Sequence, residues 1–262
     1  MNLDLSGRRA LVCGSSAGIG RACAAELASL GASVTLLARD RAKLEGVLAS
    51  LPHGKGQGHD VIVADLSNPG AVEAAVKPAL DASRPYHILV NNTGGPPAGP
   101  AIDATPEQLV AAVNAQLITA HVLVKLLLPG FQASRYGRVI NITSTSVKQP
   151  IANLGISNVV RPAVTAWAKC LSQELGKFGI TVNNVLPGYT ATERLGQLMQ
   201  GRAKARGVAP DAIEKEWIDT IPLGRLGEAS DIAAGVAFLA SPAGGYVSGI
   251  NLPIDGGRLG TL

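Results

Sequence analysis

The stretch Cys13-Gly14-Ser15-Ser16-Ala17-Gly18-Ile19-Gly20 decides the fold of this chain. It follows a short apolar run that begins at Arg8, and it leads into a segment, 21–30, with apolar residues at helical spacing. Three glycines at a strand-to-helix turn let backbone N–H groups approach a pyrophosphate, and the helix dipole adds to the attraction. The pattern predicts a phosphate-binding loop, although its spacing, GxxxGxG, also fits a plain glycine turn.

The alternation of strand and helix continues along the whole chain. The predicted strands are 8–13, 33–38, 60–64, 87–91, 138–142 and 181–186, and the predicted helices are 19–30, 41–50, 69–82, 106–128 and 159–177. Because the strands have no polar face, helices must cover both sides of the sheet they form. We therefore predict one three-layer α/β domain over residues 1–262, with a doubly wound parallel sheet.

Composition and charge exclude several classes of protein. The chain is 47% apolar and 16% charged, with a net charge of +4 spread along its length. Its densest basic run, Arg202, Lys204 and Arg206, has no interleaved aromatic residue, so no nucleic-acid partner is expected. The three cysteines have no metal-ligand or disulfide spacing. With neither a signal-like start nor an apolar run of about 18 residues, we expect a cytoplasmic protein without a membrane span or a metal site.

Further motifs identify a family. Asn91-Asn92-Thr93-Gly94 follows the fourth predicted strand, Pro187-Gly188 follows the sixth, and Ile221-Pro222-Leu223-Gly224-Arg225-Leu226-Gly227 lies in the C-terminal third. With the glycine turn, these motifs resemble the short-chain dehydrogenase/reductase family over nearly the whole chain. The resemblance implies a Rossmann-type fold of about seven parallel strands and a nicotinamide dinucleotide. The implied cofactor-binding residues are Gly14, Ser15, Ser16, Gly18, Ile19, Gly20, Arg39, Asp65, Leu66, Asn91, Gly94, Arg161, Pro187, Gly188, Thr190 and Thr192.

The end of the second predicted strand bears on which dinucleotide binds. Relatives that prefer NAD carry an aspartate where this chain has Ala38, and Arg39 follows. An acid there would bond the ribose 2′-OH, whereas an arginine would accept a 2′-phosphate. We therefore expect NADP(H) to be favoured over NAD(H). Asp40 could weaken the preference, and Arg39 could instead be a plain surface residue.

The catalytic pattern of the family is incomplete in this chain. Its reductases use an Asn, a Ser, a Tyr and a Lys, with the Lys one helical turn after the Tyr, so that an ammonium lowers the pKa of the phenol that protonates the carbonyl. None of the four tyrosines is followed by such a lysine. Alignment on the motif places Ser144 at the Ser position, Ser157 at the Tyr position, Arg161 at the Lys position and Gln116 at the Asn position.

These substitutions change the available chemistry. Arg161 keeps the positive charge and, at i+4, shares a helix face with Ser157, but a guanidinium does not relay protons. Ser157 is a weaker and shorter acid than a phenol. Pro162 is expected to disturb the helix beside Arg161. Tyr189 is the one tyrosine expected near the cleft, and a packing role for it is favoured over a catalytic one.

Three functions remain open at this point. The first is a reductase acting on a small carbonyl or alcohol substrate, of the 3-oxoacyl or a related ketone class, in which Ser144, Ser157 or a water polarises the carbonyl. The second is a pseudo-enzyme that binds NADP(H) as a sensor or partner subunit. The third is a lyase or isomerase.

Two further features follow from the resemblance. Residues 191–220 occupy the position of the variable substrate loop of the family, and we expect a mobile lid there. The long apolar helices near 106–128 and 159–177 are where relatives pair subunits. A homotetramer or homodimer is therefore expected.

Overall fold

The strands of the protein form one parallel sheet. The computed structural model describes residues 1–261, and its seven strands are arranged in the order β3-β2-β1-β4-β5-β6-β7. They are β1 (Arg9–Cys13), β2 (Ser33–Ala38), β3 (Asp60–Val63), β4 (Ile88–Asn91), β5 (Gly137–Ile142), β6 (Ile180–Pro187) and β7 (Asn251–Ile254). This order reverses direction between β1 and β4, which is the doubly wound arrangement with a crevice at the switch point.

Helices cover both faces of this sheet. They are α1 (Gly18–Ser29), α2 (Arg41–Leu48), α3 (Pro69–Val76), α4 (Pro106–Val113), α5 (Thr119–Ser134), α6 (Gly155–Leu175), α7 (Glu193–Arg206), α8 (Pro210–Asp219) and α9 (Ala229–Ala240). The predicted α/β class is confirmed. The predicted domain also includes Leu262, which lies outside the described residues.

The two faces of β1 show why the strand sequences lack a polar side. Ala10 and Val12 point into a core formed with α1, α2 and α9. Leu11 and Cys13 point the other way, into a core formed with α3, α5 and α6. Successive side chains of a strand face opposite sides, so a strand between two helix layers is mostly apolar on both faces.

The predicted helix over 106–128 is wrong in its detail. It is two helices, α4 and α5, joined by a π-helical turn over Asn114–Ile118, and α5 continues to Ser134 past Pro129. Single π turns inside helices often mark functional positions. By contrast, α6 continues past Pro162 to Leu175, so that proline does not end the helix.

The stretch Pro106–Ser134 also corrects the expectation about apolar runs. By length and composition alone it could cross a membrane. Its buried side chains Leu123, Leu127 and Phe131 pack in the core between α5 and the sheet. Only 33% of the most apolar part of this stretch is buried inside the protein, so core packing explains part of its apolar character.

Most of the range 191–220 is helical, in α7 and α8. Helices α7 and α8 pack on each other around Leu195, Ala203, Ile213 and Trp217. Tyr189 stacks on Trp217 with 4.7 Å between ring centroids, and its hydroxyl accepts a hydrogen bond from Arg258 Nη2 at 3.2 Å. These contacts agree with a packing role for Tyr189. Mobility of the two helices stays a prediction.

Candidate active site

The connection from β1 into α1 is compact because only glycine fits at two positions, Gly14 in the loop and Gly20 in the first turn of α1. Gly14 has a φ of +59°, and a Cβ there would lie 2.5 Å from the carbonyl oxygen of Asn92. A Cβ on Gly20 would lie 2.2 Å from the carbonyl oxygen of Gly14. Asn92 Nδ2 donates hydrogen bonds to the carbonyls of Cys13 and Gly14, at 3.3 and 3.2 Å. The asparagine motif after β4 therefore holds the glycine loop in shape.

The N-terminus of α1 is open to an anion. Its N-cap residue, Ala17, makes no side-chain hydrogen bond, and the first turn of α1 has no acidic residue. Free N–H groups at the positive end of a helix suit a pyrophosphate. The methyl group of Thr192 would lie 3.4 Å from a Cβ on Gly18, so the segment after β6 borders the loop. The residues present thus fit a dinucleotide.

Ser15 has a different place from the rest of the loop. It is fully buried, and its Oγ accepts a hydrogen bond from the Leu37 N–H at 3.0 Å. The side chain therefore ties the loop to β2 and does not lie on the surface where a cofactor would bind. Ser16 in the loop and Ile19 at the start of α1 are half-buried.

Arg39 and Asp65 lie at the ends of the neighbouring strands β2 and β3. Arg39 Nη1 is 3.9 Å from Asp65 Oδ2, and the arginine side chain is 76% exposed. Hydrogen bonds from Ser67, followed by the charge of Arg39, hold the pKa of Asp65 below its usual value. Leu66 comes next, and its carbonyl accepts a hydrogen bond from Thr119 Oγ1 at 2.8 Å. Arg39 can therefore meet a 2′-phosphate, in competition with Asp65.

The structure brings Ser157 and Arg161 together on α6. Arg161 Nε donates a hydrogen bond to Ser157 Oγ at 3.1 Å. Arg161 Nη1 donates to the carbonyl of Ile142 at 3.1 Å and to that of Thr143 in a short contact. Ser144 follows directly, and its Oγ accepts a hydrogen bond from the Ser146 N–H at 3.0 Å. The guanidinium thus links α6 to the end of β5, beside Ser144.

Burial changes the acidity of Arg161. Desolvation, with a further contribution from the charge of Arg194, lowers the pKa of Arg161 to about 10. At neutral pH the guanidinium therefore remains protonated. It can supply positive charge and hydrogen bonds, but it does not exchange a proton during turnover.

Gln116 lies where the alignment predicts an active-site amide. It is buried in the π-helical turn and lines a small cavity together with Asn91, Thr93, Thr143 and Arg161. Asn114, two residues earlier, lines a separate surface depression with residues of α4. Of the two side-chain amides, Gln116 lines the cavity beside Arg161 and Asn114 does not.

A ladder of asparagines was not foreseen from the sequence. Asn91 Nδ2 donates to Asn141 Oδ1 at 2.8 Å, Asn141 Nδ2 to Asn184 Oδ1 at 2.9 Å, and Asn184 Nδ2 to Asn251 Oδ1 at 2.9 Å. These residues are direct neighbours in register across β4, β5, β6 and β7. Asn91, expected to contact cofactor, therefore uses its amide N–H within the sheet. The repeated asparagines near the ends of the predicted strands were the feature of the sequence that could have indicated this ladder.

Arg194 is a second residue near the site that the sequence did not predict. It lies in the first turn of α7, and its Nη2 donates a hydrogen bond to the carbonyl of Pro96 at 2.6 Å. A Cβ on Gly95 would lie 3.4 Å from Arg194 Nε. The side chain therefore reaches from α7 to the loop after β4.

Gly94 lies in that loop with open space around its Cα, while a Cβ on Gly188 would lie 2.7 Å from Asp255.

The remaining predicted cofactor residues lie around the end of β6. Pro187 ends that strand, and Gly188 donates a backbone hydrogen bond to the carbonyl of Ile254 at 2.9 Å. Thr190 is buried and pairs with Gly227 in an isolated bridge. Thr192 caps α7. Within residues 1–261, no group of three His, Cys, Asp or Glu side chains is placed to hold a metal ion.

Comparison with known proteins identifies the family of the chain. Residues 14–258 match the family described as Enoyl-(Acyl carrier protein) reductase. The 3-oxoacyl-[acyl-carrier-protein] reductase FabG of Pseudomonas aeruginosa is 33% identical over 257 residues, which cover 97% of this chain and 98% of that protein. The 2,3-dihydroxy-2,3-dihydro-p-cumate dehydrogenase of Pseudomonas putida is 31% identical, with 97% and 95% covered. The chain belongs to the short-chain dehydrogenase/reductase family.

Solved structures share the whole fold. The L-sorbose reductase of Gluconobacter frateurii, complexed with NADPH and L-sorbose, has a TM-score of 0.92 at 29% identity, with both chains fully covered. YwfH, an NADPH dependent reductase involved in bacilysin biosynthesis, has a TM-score of 0.90 at 27% identity, with 97% of this chain and 99% of that chain covered. These neighbours are reductases that use NADPH.

Proposed function

We propose that the protein is an NADP(H)-dependent carbonyl reductase with a non-standard active site, in which Ser157 and Arg161 replace the tyrosine and lysine of its relatives. One observation carries the proposal: the hydrogen bond from Arg161 Nε to Ser157 Oγ. The substrate is a small carbonyl compound, or the matching alcohol in reverse, of the ketone class that includes 3-oxoacyl compounds.

The direction of that hydrogen bond makes Ser157 a donor toward the cleft. Because its oxygen accepts from the guanidinium, its own proton is free to bond a carbonyl oxygen. The adjacent positive charge stabilises negative charge that develops on that oxygen. Ser144 is prepared in the same way, since its oxygen accepts from the Ser146 N–H. In this arrangement the proton on the product oxygen comes ultimately from water, through the Ser157 hydroxyl that Arg161 polarises.

Both the residues of the cofactor site and the similarity to reductases that use NADPH favour NADP(H) as the cofactor. The glycine loop and the uncapped start of α1 suit the pyrophosphate, Thr192 borders that loop, and Arg39 suits a 2′-phosphate. When bound, NADPH supplies the hydride that reduces the carbonyl carbon. The use of NADPH by the structural neighbours favours the same choice here.

A catalytically impaired protein that binds NADP(H) as a sensor or partner subunit is the second candidate. It is favoured by the two hydrogen bonds of Arg161 Nη1 to the carbonyls of Ile142 and Thr143, which occupy part of the guanidinium. It is also favoured by the short side chain of Ser157. A cytoplasmic location is proposed for either candidate, since all three cysteines are free.

The test is NADPH oxidation against a panel of ketones and aldehydes, with Ser157→Ala beside the intact protein. We expect turnover, and about a hundredfold loss of kcat in Ser157→Ala with the Kd for NADPH unchanged, as for removal of one oxyanion donor. Ser29→Ala, on the exposed face of α1, is the matched control. If NADPH binds and no carbonyl is reduced, the second candidate is favoured.

A further inference from the structure

The lid, residues 191–220, makes most of its contacts within itself. Its ion pairs are internal, since Arg202 and Arg206 of α7 both bond Glu216 of α8. The apolar side chains that α7 and α8 bury against each other form a cluster separate from the two cores of the sheet: Leu195, Ala203, Ile213 and Trp217. The lid can therefore move as one body without exposing the main cores.

A short stem joins the lid to the rest of the protein. Thr190 and Gly227 pair there in an isolated bridge. Two backbone hydrogen bonds of 2.8 Å add to it, from the Ala191 N–H to the carbonyl of Gly227 and from the Gly227 N–H to that of Tyr189. The chain that enters the lid is thus held to the chain that leaves it. A hinge at this stem lets the lid swing while its base stays anchored.

One side chain fastens the lid to the loop after β4. Arg194 Nη2 donates the hydrogen bond of 2.6 Å to the carbonyl of Pro96, and the guanidinium lies against Gly95. Among residues 1–261, this is the one hydrogen bond or ion pair that joins residues 191–220 to any residue outside 189–227. Breaking this bond therefore frees the lid everywhere except at its stem.

The loop that accepts this bond is held on its other side. Gly99 pairs with Leu154 in an isolated bridge. Its N–H donates to the carbonyl of Asn153 at 2.8 Å, and its carbonyl accepts from the Gly155 N–H, the first residue of α6, at 2.9 Å. Because these bonds tie the loop to α6, residues 95–99 form a fixed rim against which the lid closes.

The closed lid crosses the crevice where a dinucleotide fits. Thr192, two residues before Arg194, lies beside Gly18 at the start of α1, with its methyl group 3.4 Å from where a Cβ on that glycine would be. Pro96 follows β4, the strand next to β1. The segment from Thr192 to Arg194 therefore runs from the phosphate-binding loop to the rim, across the crevice between β1 and β4.

We propose that Arg194 fastens a gate for the cofactor: its hydrogen bond to Pro96 keeps the lid closed over the crevice, and breaking that bond admits and releases NADP(H). The inference goes beyond the proposed reductase chemistry, since it concerns cofactor binding and needs no turnover. A hydrogen bond from a charged donor favours the closed lid by about ten- to a hundredfold. Binding and release are slowed alike, because both require the same opening.

The test measures NADPH binding by stopped-flow fluorescence. We expect Arg194→Met to raise both the association and the dissociation rate constant about tenfold or more, and to change the Kd by less than about threefold. Arg194→Lys, which keeps a charged donor, should give intermediate rate constants. Arg202→Met is the matched control, because Arg202 lies on the same helix and pairs within the lid. Its rate constants should equal those of the intact protein.

Amide hydrogen exchange of the protein without cofactor provides a second measurement. Residues 191–220 should exchange faster in Arg194→Met than in the intact protein, by about the same factor as the rate constants change. The rim and the strands of the sheet should keep their exchange rates, which also shows that the variant is folded.

The outcomes separate the gate from the proposed function. If Arg194→Met raises only the dissociation rate constant, with a matching loss of affinity, the gate is overturned, because the arginine then contacts the cofactor itself. Unchanged rate constants overturn it as well. Faster exchange over the whole chain also counts against it, because the bond then supports the fold in general. An intact protein that shows the gate but reduces no carbonyl contradicts the reductase alone.

Discussion

Arg39 is the residue at which cofactor choice can be measured most directly. Its side chain is exposed and only loosely paired with Asp65, at 3.9 Å, so a 2′-phosphate can compete for it. We expect Arg39→Ala to weaken NADPH binding about tenfold or more, because a charge-assisted hydrogen bond is lost, and to leave NADH binding nearly unchanged. Both dissociation constants are measured by quenching of protein fluorescence.

Arg41→Ala is the matched control for Arg39→Ala. Arg41 lies at the start of α2 and pairs with Glu45 at 3.6 Å, so Arg41→Ala removes the same charge without removing the predicted phosphate contact. An equal loss of NADPH affinity in both variants would assign the effect to general surface charge. Tighter binding of NADH than of NADPH by the intact protein would contradict the proposed preference.

Single residues differ in how far the sequence predicted them. Ser157 and Arg161 were predicted to share a helix face from their i, i+4 spacing, and their hydrogen bond at 3.1 Å agrees with that local geometry. The place of Arg194 depends on how α7 packs near the loop after β4, which no local pattern encodes. Their roles in catalysis and binding stay predictions until the variants are measured.

At the scale of elements, the sequence predicted most strands because a buried parallel strand is a short and mainly apolar run. The apolar pattern did not predict β7, because Asn251–Ile254 is only partly buried and contains a proline. It also missed the π-helical turn between α4 and α5, because the apolar spacing on either side continues almost unbroken. The turn matters for the site, since Gln116 lies in it and lines the cavity.

The asparagine ladder joins four strands by side chains as well as by backbone. Its central member, Asn141, is 1% exposed and bonds both Asn91 and Asn184. We expect Asn141→Ala to lower the free energy of unfolding by about 2 to 5 kcal/mol, because it leaves a buried donor and a buried acceptor without partners. Urea unfolding followed by circular dichroism measures this change.

The end of the ladder provides the comparison for Asn141. Asn251 accepts from Asn184 and is only half-buried, so Asn251→Ala removes a single bond at a place that water can reach. Its expected cost is well below that of Asn141→Ala. Equal costs for the two variants would show that the ladder is not a buried, continuous network.

At the scale of the whole molecule, three exposed apolar side chains lie on elements that contact each other. Ile102, Val110 and Val159 are 91%, 59% and 57% exposed. Val110 and Val159 lie on α4 and α6, which pack together, and Ile102 lies in a short turn that contacts α6. The resemblance to the family places subunit pairing on these same helices. We therefore expect this surface, defined by Ile102, Val110 and Val159, to be the interface of a homodimer or of a homotetramer.

Val159→Glu tests that interface without disturbing the core of the monomer, because the side chain is more than half exposed. In a two-fold symmetric contact the substitution places two like charges in an apolar interface, where each loses hydration. We expect the variant to dissociate at least about a hundredfold more readily, measured by sedimentation velocity across a dilution series. Val208→Glu, at a 40% exposed position after α7, is the control and should leave the assembly unchanged. An intact protein that sediments as a monomer at every concentration would refute the expected assembly, and an unchanged oligomer in Val159→Glu would move the interface to another surface.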